Sequence, residues 1–154
     1  PFRRARSIAT IGNKPVVLGT RKPADADDPH TRSVTLTWFD STGAFVKEKS
    51  YGTSSVDAST LATLPGGRLA LSYEKDYGAP GSLGETRAFL LYLGPRGTVQ
   101  QRWRVGPRTG TTRVTSLVPL SGGRVAVVGS TGPEAIGGYG GDDFDVLVAI
   151  YRKK

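Results

Sequence analysis

Residues Leu61 to Leu71 read Leu-Ala-Thr-Leu-Pro-Gly-Gly-Arg-Leu-Ala-Leu, which predicts a strand, a tight turn at Gly66-Gly67 and a second strand. The stretch recurs as Leu-Val-Pro-Leu-Ser-Gly-Gly-Arg-Val-Ala-Val over Leu117 to Val127. A more divergent copy covers Ile8 to Leu18, where Gly12-Asn13 replaces the glycine pair. The three copies begin 53 and then 56 residues apart, which predicts a repeat protein.

Each copy continues into a second half that predicts another hairpin. An apolar strand is followed by a short turn containing glycine and then by a more polar strand, a pattern that favours antiparallel pairing. The apolar strands of the three units are Val34–Phe39, Ala88–Leu93 and Phe144–Tyr151. The turns after the first two are 40–43 and 94–97. Each unit is therefore predicted to be a four-stranded antiparallel meander, and the third lacks its outer strand.

The hydrophobicity of the strands changes across each unit. Second and third strands are nearly continuous apolar runs, for example Leu69-Ala70-Leu71 and Val146–Ile150, which predicts burial on both faces. The fourth strand of the first unit, 44–50, alternates in character and carries the charges expected of an edge facing water. Four-stranded sheets repeated at about 50 residues are typical of β-propeller blades, which bury their faces against one another.

We therefore expect an all-β fold made of three β-propeller blades, of which the third is incomplete. A single repeat domain over 1–154 would contain blade 1 at 1–52, blade 2 at 53–107 and blade 3 at 108–154. The alternative is a β-trefoil, which also has three repeats of four strands in a chain of this length. Trefoil strands alternate between barrel and cap, so a buried third strand beside a charged fourth strand fits a radial blade better.

Two segments also resemble a known group of proteins. Leu-Pro-Gly-Gly-Arg-Leu-Ala-Leu at 64–71 and Gly-Gly-Asp-Asp-Phe-Asp-Val-Leu-Val at 140–148 resemble the blade repeats of bacterial secreted and cell-surface β-propellers. The resemblance covers almost the whole chain, and the glycine pair and blade ends differ from those of kelch and WD repeats. It implies a binding or scaffolding module in an extracellular, periplasmic or cell-surface assembly.

Composition excludes several classes of site. The 154 residues contain no cysteine, so disulfides, thiol nucleophiles and thiolate metal sites are ruled out within this sequence. No methionine is present even at position 1, which favours a processed chain or a piece of a longer one. No signal-peptide core and no apolar run of membrane-spanning length is found, so we expect no membrane span.

The net charge of +8 has two interpretations: an arginine-rich surface that keeps the protein in solution, or an acidic partner. Only Arg102-Trp103-Arg104 interleaves an aromatic residue with basic ones, so nucleic acid is not the favoured partner. The open edge beside Phe144–Tyr151 needs another strand. We expect it to be covered by the remaining blades of a longer chain, by a protein partner, or by a second copy that closes a six-bladed ring.

In a propeller the long loops share one end of the molecule, which is the default binding face. The candidate contact residues there are Asp76, Tyr77, Arg108, Arg113, Tyr139 and Asp142. They are either ordinary turn residues or part of a ligand site, for example one in which a sugar stacks on tyrosine and bonds to carboxylates. A third interpretation is calcium, for which the clustered Asp25, Asp27 and Asp28 supply oxygen ligands without the EF-hand spacing.

Catalysis has little support in the sequence. The single histidine, His30, lies in a polar loop, and no nucleophile elbow or phosphate-binding loop occurs. We therefore predict no catalytic residues and no cofactor. The alternative function is a propeller-fold glycoside hydrolase or lyase acting on polysaccharide, since carboxylates from different blades can meet across a channel mouth.

Overall fold

The computed structural model describes residues 4–23, 31–54, 56–77, 85–108, 110–132 and 145–152, and their regular structure is almost entirely β-strand. The strands are β1 Arg4–Ile11, β2 Lys14–Arg21, β3 Arg32–Phe39, β4 Phe45–Ser54, β5 Val56–Leu64, β6 Arg68–Asp76, β7 Thr86–Leu93, β8 Val99–Val105, β9 Thr111–Leu120, β10 Arg124–Gly132 and β11 Asp145–Arg152. Two short 3₁₀ turns, Pro65–Gly67 and Ser121–Gly123, interrupt them. No helix in these ranges is long and apolar enough to cross a membrane.

The strands form three separate antiparallel sheets. Sheet 1 has the order β1-β2-β3-β4, sheet 2 the order β5-β6-β7-β8, and sheet 3 the order β9-β10-β11. Within each sheet, consecutive strands are hydrogen-bonded neighbours, whereas the steps from β4 to β5 and from β8 to β9 lead from one sheet to the next. The expected all-β class and antiparallel meanders are confirmed. The described strands close no barrel of the kind that a β-trefoil requires.

Sheet 2 lies between the other two and is buried on both faces. One face contacts sheet 1 through residues such as Leu69, Leu71 and Leu91, against Leu18 and Leu36. The opposite face contacts sheet 3 through a second core; its members include Ala70, Leu90, Tyr92, Leu117 and Val127. The predicted burial of Leu69-Ala70-Leu71 on both faces is therefore confirmed, since all three side chains are inaccessible to solvent.

The same expectation is wrong for Val146–Ile150. Val146, Val148 and Ile150 are 80%, 65% and 60% exposed, whereas Leu147 packs on the core between sheets 2 and 3. Side chains alternate across a strand, so every second residue of β11 points to the outer face of sheet 3. No described sheet covers that face, and an apolar run alone cannot reveal whether its second face is covered.

The first strand of every sheet carries a β-bulge at the same place. The unpaired residues are Arg6 in β1, Ser59 in β5 and Thr115 in β9, which are 53 and then 56 residues apart. Opposite the third bulge, the backbone of β9 approaches Gly129 so closely that a Cβ there would lie 2.0 Å from the Arg113 carbonyl oxygen. The three bulged strands, β1, β5 and β9, lie side by side across the stack, and a bulge at the same position is expected to increase the local twist of each.

The tight turns explain the Gly-Gly-Arg sequences. Gly66 and Gly122 have φ of 77° and 69°, which glycine adopts without strain. The arginine after each turn then folds back: Arg68 Nε donates to the Pro65 carbonyl at 2.9 Å, and Arg124 Nε donates to the Ser121 carbonyl at 3.1 Å. These guanidinium groups close their own turns, so Gly-Gly-Arg serves the architecture.

The turn in sheet 1 is one residue shorter. Ile11 pairs with Lys14 across two residues, whereas Leu64 pairs with Arg68 across three. Val16, and not Val17, is therefore the structural equivalent of Ala70. The gapless alignment of the repeats is wrong by one residue in the second strand of the first copy.

Short turns from neighbouring sheets meet at one end of the stack. Tyr51 Oη donates to the Gly97 carbonyl at 2.7 Å, and Tyr92 Oη donates to the Gly123 carbonyl at 3.0 Å. Each bond joins a strand of one sheet to a turn of the next. At the opposite end of the stack, β6 and β8 end and β7 and β9 begin, and we call this the loop end.

Candidate functional site

Among the described residues, the most exposed aromatic ring at the loop end belongs to Tyr77, directly after β6. Its side chain is 45% exposed. The Arg87 guanidinium lies 4.3 Å from the ring centre, and the Lys75 ammonium lies 5.0 Å from it. Lys75 and Arg87 are paired across β6 and β7, so the sheet register places both cations beside the ring. The exposed Tyr77 ring is thus flanked by two positively charged side chains.

Glu85 holds this arrangement together. It accepts two bonds from Arg87, at 2.7 and 2.6 Å, and one from Arg104 at 3.0 Å. Its backbone carbonyl also accepts the Tyr77 N–H at 3.0 Å. The bonds from Arg87 hold the pKa of the Glu85 carboxyl below its usual value, with both guanidinium charges adding to the effect. We call Lys75, Tyr77, Glu85, Arg87 and Arg104 the loop-end cluster.

The sequence-predicted contact residues are only partly brought together. Tyr77 belongs to the loop-end cluster. The backbone carbonyl of Arg108 accepts a bond from Arg104, and Arg108 itself is exposed. Asp76 is exposed at the last position of β6. Arg113 is exposed on β9, in sheet 3. Tyr139 and Asp142 lie outside the described residues, as do the aspartates at 25, 27 and 28 and His30.

Sequence reasoning missed Arg87 and Arg104 as members of the site. The sequence Glu85-Thr86-Arg87 could have indicated the ion pair between Glu85 and Arg87, because residues two apart on a strand share a face. Arg104 was noticed only as part of Arg102-Trp103-Arg104. The structure divides that triplet: Arg102 stacks on Phe89 at 4.2 Å, whereas Trp103 points to the other face.

Glu74, the third-last residue of β6, joins two sheets. Its Oε1 accepts the Val114 N–H of sheet 3 at 3.1 Å and the Ser59 hydroxyl of the β5 bulge at 3.2 Å. Burial raises the pKa of Glu74, against the opposing effects of these two bonds and of the Arg113 charge. A buried carboxylate bonded to backbone has a structural role.

A second basic feature lies at the same end, on sheet 1. A cavity of about 250 Å³ is lined by Arg4, Thr20, Arg21, Lys22 and Arg32. Arg21 is also bonded to Glu48 at 2.8 Å across the outer face of the sheet. The other three cations add positive charge to the loop end without a described carboxylate in the lining.

No group of three acidic or histidine side chains in the described ranges is placed to hold a metal ion. No protein-family model matches the sequence. A comparison with characterised proteins likewise finds no significantly similar relative. The function must therefore be argued from the fold and from the loop end.

Proposed function

We propose that this chain is a non-catalytic binding module built from β-propeller blades, and that it contacts an acidic partner through its loop end. The observation that carries the proposal is the loop-end cluster, where the exposed Tyr77 ring is flanked by Lys75 and Arg87. Aromatic rings and guanidinium groups together suit a partner that offers a flat surface and negative charge.

The propeller assignment is supported by the way the sheets stack. Three meanders of consecutive strands pack face to face, and their first strands, β1, β5 and β9, lie side by side. Their bulges recur at Arg6, Ser59 and Thr115. In a propeller the first strands of successive blades line the central channel, and identical bulges give each strand the same twist there.

The acidic character of the partner is supported by the charge balance. Three described carboxylates of the loop end are engaged: Glu85 with two arginines, Glu74 with backbone and Ser59, and Asp57 with Arg6. Asp76 and Asp145 are exposed at the same end, where the basic side chains outnumber them. Arg108 and Arg113 remain exposed, and the protein has a net charge of +8. A surface with this balance attracts anions over a distance set by the ionic strength.

An enzymatic function is less well supported. A glycoside hydrolase or lyase needs two carboxylates facing a shared space, one of them able to transfer a proton. Glu85 is neutralised by Arg87 and Arg104, and Glu74 is buried between two sheets. We therefore prefer a scaffolding or binding role, in the secreted or cell-surface setting that the blade sequences suggest.

The proposal is tested by affinity electrophoresis through gels containing polygalacturonate, with neutral dextran as the matched polymer. We expect retardation by the acidic polymer only, and we expect it to weaken as salt is added. Arg108→Ser together with Arg113→Ser should reduce the retardation severalfold, whereas Lys14→Ser, at the turn end, should reduce it little. Equal effects of both changes, or no retardation at all, would contradict a loop-end site.

A further inference from the structure

The outer face of sheet 3 is apolar and open. Its exposed side chains come from all three strands, and the largest belong to β9 and β11: Val118 at 45%, Val146 at 80%, Val148 at 65% and Ile150 at 60% exposed. Ala126 and Val128 of β10 lie between them and pair with Ile150 and Val148. This continuous aliphatic surface is unusual for a face in contact with water.

The equivalent faces of the other two sheets are covered. Strand pairing makes Val148 equivalent to Leu90 and Ile150 equivalent to Tyr92, because Ala126 pairs with Ile150 as Ala70 pairs with Tyr92. Leu90 and Tyr92 are 0% and 1% exposed, since sheet 3 packs on them. In sheet 1 the equivalent of Tyr92 and Ile150 is Trp38, which is 6% exposed because sheet 2 packs on it. The stack therefore specifies what covers such a face: another sheet of the same kind.

Sheet 1 offers that kind of surface on its own outer side. Ile8 occupies the position of Leu61 and Leu117, which pack onto the preceding sheet and are each 7% exposed. Ile8 has no preceding sheet within the described structure, and it is 65% exposed. The open face of sheet 3 and the Ile8 side of sheet 1 are thus the equivalents of the two surfaces that meet in each of the two existing contacts between sheets.

The polar groups on the outer face of sheet 1 are satisfied internally. Thr35 Oγ1 donates to the Gly19 carbonyl at 3.4 Å, and Thr37 Oγ1 donates to Glu48 at 3.2 Å. Glu48 is in turn paired with Arg21 at 2.8 Å, so the ion pair spans β3. Both threonines are buried, at 0% and 1% exposed, so the apolar side chain that this face presents for packing is Ile8. A second sheet can cover this face without leaving these polar groups unpaired.

We propose that the open face of sheet 3 docks the outer face of sheet 1 of a second copy of this chain. Two copies joined head to tail at both contacts give six sheets, within the usual range of about 4 to 8 blades for a closed propeller. Closure by two identical contacts leaves neither apolar face exposed. The inference rests on the propeller arrangement proposed above, and it does not depend on the acidic partner.

The test combines mass measurement with charge-complementary variants. Light scattering across a concentration range should give twice the chain mass of 16.3 kDa. Ile8→Lys and Val148→Glu should each give a monomer, because each introduces a charge into both contacts of the dimer. A mixture of the two variants should dimerise again, since one contact then joins lysine to glutamate and the other is unaltered. Val99→Glu, at a 48% exposed residue of β8 on neither face, should remain dimeric.

Other outcomes overturn the inference. A parent chain that stays monomeric at high concentration shows that the two faces do not bind each other. If Val148→Glu is monomeric but Ile8→Lys still dimerises, two sheet 3 faces meet instead. If the mixture fails to dimerise, the head-to-tail pairing is wrong. Retardation by polygalacturonate is measured separately at the loop end, so failure of the dimer and failure of the binding function are distinguishable.

Discussion

At the scale of single residues, contacts between neighbouring sheets leave no room for a side chain at Gly97. Its φ is 76°, and a Cβ there would lie 2.6 Å from both Trp38 and the Tyr51 hydroxyl. Gly122 has a similar φ of 69° with nothing within 4 Å. Substitutions at the two glycines therefore distinguish the cost of a side chain at positive φ, which both sites share, from the cost of steric overlap, which only Gly97 has.

Gly97→Ala should destabilise the protein far more than Gly122→Ala. The second change costs about 1 kcal/mol of backbone strain. The first adds overpacking against two aromatic side chains, for a total of roughly 2–4 kcal/mol. Urea unfolding of both variants measures the difference. Equal losses would show that the contact between the 94–97 turn and sheet 1 is looser than the structure indicates.

Ser72 is a buried polar residue at a position that is apolar in the other two sheets. Its side chain is 0% exposed, and its hydroxyl has no hydrogen-bond partner among the described residues. Leu18 and Val128 occupy the equivalent sites. Ser72→Ala should raise the free energy of unfolding by about 1 kcal/mol, because it removes an unsatisfied hydroxyl. Thermal and urea denaturation measure this, and a loss of stability would show that Ser72 Oγ is bonded.

At the scale of elements, Glu74 attaches β6 to β9. Its carboxylate is buried, so its pKa lies above the ordinary value. The folded state then takes up a proton before the unfolded state does as the pH falls. The destabilising cost of the buried charge is complete above the folded pKa and disappears below the unfolded pKa.

Glu74→Gln should therefore be at least as stable as the parent at neutral pH. The amide oxygen can still accept from Val114 and Ser59, and no charge is buried. This advantage over the parent should shrink as the pH falls through the raised pKa of Glu74. Urea unfolding from pH 7 to pH 4 measures the trend. An advantage that grows toward low pH would contradict the direction of the pKa shift.

Asp40 should show the opposite trend. It accepts bonds from the Thr42 side chain at 2.7 Å and from the backbone of Thr42 and Ala44, which lower its pKa. Its contribution to stability is present above the ordinary pKa and is lost as the pH falls through the lowered one. Asp40→Asn should thus reduce the pH dependence in a urea titration extended below pH 4, with its largest loss of stability at neutral pH.

At the scale of the whole molecule, the proposed dimer would link stability to assembly. If folding and pairing are coupled, the midpoint of thermal unfolding must rise with protein concentration. The concentration dependence should vanish in Val148→Glu, which lacks the contact between copies. A 100-fold change in protein concentration changes the apparent free energy of unfolding of a dimer by about 2.7 kcal/mol. Scanning calorimetry detects a change of this size as a shift in the unfolding midpoint. A midpoint independent of concentration in the parent would contradict coupling.

The sequence by itself determined the hairpins, because the chemistry of a turn is local. Gly66-Gly67 and Gly122-Gly123 permit positive φ whatever surrounds them, and alternation along the flanking residues predicts strands. The all-β class and the antiparallel order of the strands followed from these signals. The candidate site was only partly predicted: Tyr77 and Arg108 were identified, but Arg87 and Arg104 were not.

Only the tertiary structure decided which surfaces are covered and which distant residues meet. The apolar runs Leu69–Leu71 and Val146–Ile150 look alike in sequence, yet sheets on both sides bury the first and the second has one open face. Glu85 and Arg104 are 19 residues apart and meet because β7 and β8 pair. Burial and long-range pairing are properties of the packed sheets, and no local pattern in the chain encodes them.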